Sequence, residues 1–198
     1  GHYTGINDGR HRVVDYRPTK GRGVTSAPAQ FVDKVLHDHP EILRPGAVVF
    51  GPANMTRNSH HQVREMTHRA CPQAVVAVIN GKDEKLYFYQ DPEGPAGFTA
   101  IDLIGGGQIA DRISGTIERN PALAGRPLVY TGYKCISMGA TLVNSTIGPF
   151  TSAIIYGTGS DKGLDKVTDR QADNLMQLAG RAAGRMVGEE WEKHFVDD

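Results

Sequence analysis

The residues able to do chemistry in this 198-residue chain are gathered in a few loops. Cys135 stands in Tyr133-Lys134-Cys135-Ile136-Ser137-Met138-Gly139, just past one apolar run and just before a stretch that reads as a helix. A cationic neighbour such as Lys134 and a helix N-terminus both stabilise a thiolate, and the thiolate is the nucleophile. The same cysteine also fits as a small buried hydrophobe. Thiolate chemistry needs an imidazole within hydrogen-bond reach. The adjacent pair His60 and His61 lies in a second loop, Asn54-Met55-Thr56-Arg57-Asn58-Ser59-His60-His61, and is assigned the general-base role, although adjacent histidines also serve as surface or capping residues. Arg57, Lys134, Gly139 and Asp161 are assigned to substrate binding, and backbone amides near Ser137 to an oxyanion.

Other chemistries fit the same loops less well. Cys135-Ile136-Ser137-Met138-Gly139 has the small-x-Ser-x-small form of a nucleophile elbow. Ser137, then Asp161 or Asp165, then His194 follow the chain order of an α/β-hydrolase triad. The 24-residue step from Ser137 to Asp161 is cramped for that fold, and His194 falls in a helical tail. The loop Gly157-Thr158-Gly159-Ser160-Asp161-Lys162-Gly163 offers backbone N–H groups to a phosphate but matches neither phosphate-loop spacing. His60, His61 and His68 lack a carboxylate partner at metal-site spacing, so no metal and no cofactor is expected.

These loops must be held by regular elements. Short helices read at 30–36 and 59–69, the second capped by Ser59, with Val63 and Met66 on its inner face. Apolar runs at 47–51, 74–79, 86–89, 127–132 and 152–157 read as five strands. Asn80-Gly81 is a hairpin signal between the second and third. Ile109, Ile113 and Ile117 recur every four residues, an amphipathic helix over 108–117. Helices also read at 138–147 and from Thr168 to about 191–195, the latter opened by a Thr168/Gln171 capping box and carrying Gly180, Gly184 and Gly188 at steps of four. Strands alternating with helices indicate an α/β fold: a mostly parallel, mixed five-stranded sheet with helices on both faces. Ligands of such sheets bind at the carboxyl ends of the strands.

The run Gln108-Ile109-Ala110-Asp111-Arg112-Ile113, then Asn120-Pro121, Gly125-Arg126-Pro127-Leu128-Val129 and Cys135, resembles the second half of caspase-like cysteine peptidase domains of bacterial polymorphic toxins. The resemblance covers about residues 98–160. It implies a hydrolase with Cys135 as nucleophile, a protein or peptide substrate, an immunity or inhibitor protein as partner, and delivery out of the producing cell. The family's His-Gly base loop corresponds here to Gln90-Asp91-Pro92-Glu93-Gly94, which holds no histidine. Either the base comes from elsewhere, with His60 or His61 as the substitutes whose loop shares the same sheet edge, or the domain is not a cysteine peptidase. The competing class is a non-catalytic binding module of the same fold.

Composition narrows the remaining classes. Lys plus Arg equal Asp plus Glu at 22 each, so a strongly basic nucleic-acid binder is excluded for the chain as a whole. No apolar run approaches the ~18 residues of a spanning helix. The neutral total conceals polarity: residues 1–23 carry net +3, and the last ten residues net −4. Residues 1–30 read as a polar, basic arm, and 31–198 as one α/β domain. Two cysteines without CxxC spacing make no disulfide framework, and Cys71, beside Pro72, reads as structural. The start at Gly1-His2 is expected of a trimmed tag or of a domain cut from a longer protein, with no signal peptide visible.

Overall fold

A computed structural model describes residues 16–21, 23–54, 56–80, 82–93, 97–132 and 142–156. In chain order the elements are α1 (Ala27–Asp38), β1 (Val48–Pro52), α2 (Arg57–Ala70), β2 (Val75–Ile79), β3 (Glu84–Tyr89), β4 (Phe98–Asp102), α3 (Ile109–Glu118), β5 (Leu128–Gly132) and β6 (Ser152–Ala153). One-turn helices at Pro40–Leu43 and Pro121–Leu123 precede β1 and β5.

The strands form one mixed sheet in the order β4-β3-β2-β5-β1-β6. The pairs β1–β5, β2–β5 and β1–β6 are parallel, whereas β2–β3 and β3–β4 are antiparallel. Every residue of β1, β2 and β5 is buried, as expected of strands covered on both faces. Pleating divides them between two cores. Val49, Val76, Val78 and Val129 pack with Phe31, Val32 and Val35 of α1 and Val63 and Met66 of α2. Phe50, Ala77, Leu86 and Tyr130 face the other way, against Ile113 of α3 and Leu142.

The sheet has six strands and not five. The added β4 is an edge strand whose alternate residues are exposed, so its five residues carry no apolar run to announce it. The strand expected at 152–157 pairs only over Ser152–Ala153. Of the helix expected at 138–147, residues 142–147 contain no helix. Asn144 Oδ1 accepts the N–H groups of Thr146 (3.1 Å) and Ile147 (2.8 Å), closing a turn instead. The helix from Thr168, its glycine triad and both charged ends, residues 1–15 and 189–198, lie outside the described residues.

The arm and the fold meet at residues 16–26. Gln30 Oε1 accepts from Tyr16 Oη (3.2 Å) and Thr19 N–H (2.9 Å), and its Nε2 donates to the carbonyls of Thr19 (3.0 Å) and Thr25 (2.6 Å). Pro28 occupies the first turn of α1, where its missing N–H costs nothing, so the helix opens three residues before Gln30.

Gly51 sets how closely α2 approaches the sheet. A Cβ there would stand 3.2 Å from Val63 Cγ1 and 3.5 Å from the Tyr130 carbonyl. Gly51→Ala is therefore expected to cost about 1–3 kcal/mol through overpacking, and Gly51→Val more. Urea denaturation of the two variants beside the parent protein measures this; an unchanged midpoint would show that α2 can recede freely.

Candidate active site

β1 leads into α2, which covers the first core, while Leu142, Ile147 and Phe150, among the next described residues after β5, pack in the second. Adjacent parallel strands whose connections diverge to opposite faces open a crevice at their carboxyl ends. By that rule the crevice of this sheet falls at the edge where β1 ends at Pro52 and β5 at Gly132, and there the Ala53 N–H donating to the Gly132 carbonyl (3.0 Å) extends the ladder by one bond.

The loop from β1 to α2 is tightly built. Ser59 is not the N-cap. Thr56 caps the helix, with its carbonyl (3.0 Å) and Oγ1 (3.4 Å) both accepting the Ser59 N–H. Asn54 Oδ1 in turn accepts from the Thr56 N–H (3.1 Å) and Oγ1–H (2.7 Å). The buried Ser59 hydroxyl accepts the Asn54 N–H (3.0 Å) and shares a proton with the Ser26 hydroxyl (3.0 Å). The residue expected to begin the helix instead ties the loop to the end of the N-terminal arm. Arg57 is exposed at the first position of α2.

The histidine pair separates, because successive residues on a helix point about 100° apart. His60 turns inward: it is 3% exposed, and its Nδ1 lies 3.0 Å from Oγ1 of Thr131, which is 0% exposed near the end of β5. Burial pushes this imidazole below the ordinary histidine value, against an opposing pull from the Thr131 backbone. His60 is thus neutral at pH 7, the form required of a histidine that hydrogen-bonds or exchanges protons. His61 turns away along the sheet edge, 3.9 Å from Asp83 Oδ2 and edge-on to Tyr87. Of the two expected bases, only His60 packs against the end of β5. Thr131 had no sequence signal, since a β-branched residue in an apolar run reads as strand packing.

Cys135, Ser137, Lys134, Gly139 and Asp161 lie outside the described residues, as does the glycine-rich loop 157–163. Among the described residues no group of three His, Cys, Asp or Glu side chains could hold a metal ion. None of the described helices is long and apolar enough to cross a membrane. Cys71 is a free, half-buried thiol packed against the first core.

A cleft of about 380 Å³ opens at the opposite end of the parallel strands, lined by Phe88, Gln90, Arg119, Asn120, Leu123 and Arg126. Arg126 donates there to the carbonyls of Gln73 (2.5 Å), Tyr89 (3.0 Å) and Pro72 (3.4 Å), so its guanidinium ties the α2–β2 loop and the end of β3 to its own loop.

His68, the third histidine of α2, is structural. It is 4% exposed, its ring meets Tyr89 and Phe98 edge-on, and its Nε2 donates to the Ala74 carbonyl at 3.0 Å. Burial, reinforced by the charges of Arg64 and Arg126, pushes its pKa down to about 4. The unfolded chain takes up this proton near the ordinary value of about 6.5. Between those values the unfolded state binds more protons, so stability present above about pH 6.5 is lost as the pH falls toward 4. The shift is worth about 3 kcal/mol. Urea denaturation at pH 7 and pH 4.5 is expected to show this loss in the parent protein and a flatter dependence in His68→Gln. Equal dependence in both would assign the acid sensitivity elsewhere.

No protein-family model, curated protein or solved structure matches the chain.

Proposed function

We propose that the protein is a hydrolase whose centre lies at the carboxyl ends of β1 and β5, with Cys135 as nucleophile and His60 as the imidazole that serves it. One observation carries the reading: Thr131 holds the His60 ring at 3.0 Å, and Cys135 follows Thr131 by only four residues. Four residues span at most ~14 Å when fully extended, so the chain cannot carry the thiol far from that edge. Lys134 beside it favours the thiolate. Attack of the thiolate on an acyl carbon would form a thioester and expel the leaving group, and water would then release the acid and restore the thiol. Protein or peptide is the substrate class that the caspase-like resemblance favours, with a delivered toxin or effector as the setting.

Two measurements test this. Iodoacetamide at pH 6 is expected to label Cys135 about tenfold or more faster than Cys71, as befits a stabilised thiolate. Against a panel of peptide and protein substrates, Cys135→Ala is expected to abolish turnover, and His60→Gln to lower it by about 10²–10³. Undiminished turnover in Cys135→Ala would end the cysteine mechanism. Loss of turnover in Ser137→Ala with retention in Cys135→Ala would move the nucleophile to the serine. A parent protein without turnover and with an ordinary Cys135 thiol would leave the binding-module reading.

A further inference from the structure

We propose that Thr131 positions His60 at the carboxyl ends of β1 and β5 and fixes it as the Nε2–H tautomer, so that Nε2 is the hydrogen-bond donor of the ring. The argument is one of proton accounting. Nδ1 of His60 and Oγ1 of Thr131 are 3.0 Å apart, and the two residues are 3% and 0% exposed. A neutral imidazole carries one N–H and the threonine hydroxyl one O–H, and a single bond between them uses only one of the two protons.

If Nδ1–H donated, the Thr131 hydroxyl proton would be left in the core without an acceptor, because His60 is that hydroxyl's one hydrogen-bond partner among the described residues. If the hydroxyl donates, the Nδ1 lone pair is filled, the hydroxyl is satisfied and the ring proton sits on Nε2. Buried donors without acceptors are the expensive case, so the packing selects the second arrangement. The surroundings agree. Burial disfavours the doubly protonated ring, as does the neighbouring His61, while the backbone at Thr131 and Asn54 and the more distant Asp83 pull the other way with smaller effect.

A neutral histidine in this form donates from Nε2 and has no lone pair there with which to take a proton. The matching ligand atom is an oxygen: a substrate carbonyl, or the oxyanion that it becomes. His60 then serves the nucleophile by stabilising charge on the acyl oxygen, and the attacking sulfur is the thiolate that Lys134 favours. Placing this donor in a catalytic crevice rests on the hydrolase reading; the tautomer itself does not.

The test is long-range ¹H–¹⁵N correlation spectroscopy of the full chain labelled with ¹⁵N-histidine, at pH 7, with the His60 signals assigned by their loss in His60→Gln. The parent protein is expected to show an unprotonated Nδ1 and a protonated Nε2. Thr131→Val keeps the shape and removes the hydroxyl, and is expected to lower the tautomer ratio by up to about tenfold, the worth of one such bond. Thr131→Ser is expected to restore the parent spectrum. Protonated Nδ1 in the parent would overturn the proposal whether or not the valine variant folds, as would a parent-like ratio in a folded Thr131→Val. Full turnover in Cys135→Ala would end the hydrolase reading and leave the spectroscopic result standing.

Discussion

Strand β5 is inserted between β1 and β2, and the rest of the molecule is arranged around that insertion. A strand with parallel neighbours on both sides has all its backbone groups committed to the ladder, and its side chains must be accepted by a core on each face. Here Val129 enters the core under α1 and α2, while Leu128 and Tyr130 enter the core under α3. Both faces must therefore be covered before the sheet is stable, and the order of the elements supplies this. Two helices precede β2 on one side, and α3 precedes β5 on the other.

The same insertion decides where the candidate site sits. With β5 beside β1, α2 covers the first face, and Leu142, Ile147 and Phe150 pack on the second. Thr131 then lies opposite the first turn of α2, near enough for its hydroxyl to meet His60 at 3.0 Å. The site is thus a consequence of strand order, with α2 drawn in by Gly51 and its leading loop held by Ser59, Asn54 and Thr56. At the far edges the sheet is finished differently. On the β3–β4 hairpin, Phe98 lies under Arg64 of α2, whose guanidinium carbon is 4.4 Å from the ring centroid, and Glu84 pairs with Arg112 of α3. Charged and aromatic groups there cover a strand that no second parallel neighbour protects.

Much of the architecture was legible in the residues. The apolar runs at 47–51, 74–79 and 127–132 became the three fully buried strands, because a stretch without polar positions has no face to give to water. Asn80-Gly81 marked the turn joining β2 to β3, and Ile113 marked the inner face of α3. The misreadings share one cause. Thr99 and Ile101 in β4 alternate with exposed positions and resemble loop composition, and Ser59, a good cap by type, spends its hydroxyl on Asn54 and Ser26 because the folded chain brings them close. Leu142 and Ile147, within the stretch expected to be helical, lie in irregular chain because Asn144 offers its own side chain to the backbone.

The sequence by itself determined the class of fold and the mixed character of the sheet. These follow from local periodicity and turn chemistry, which a short window of residues expresses. Only the tertiary structure decided that β5 lies between β1 and β2, that His60 and not His61 packs against the end of β5, and that Thr131 holds it. Strand order depends on contacts between distant segments. The direction of a helical side chain depends on how the whole helix is rotated against the sheet, and residues 60 and 131 have no relation along the chain until the strands that carry them pair.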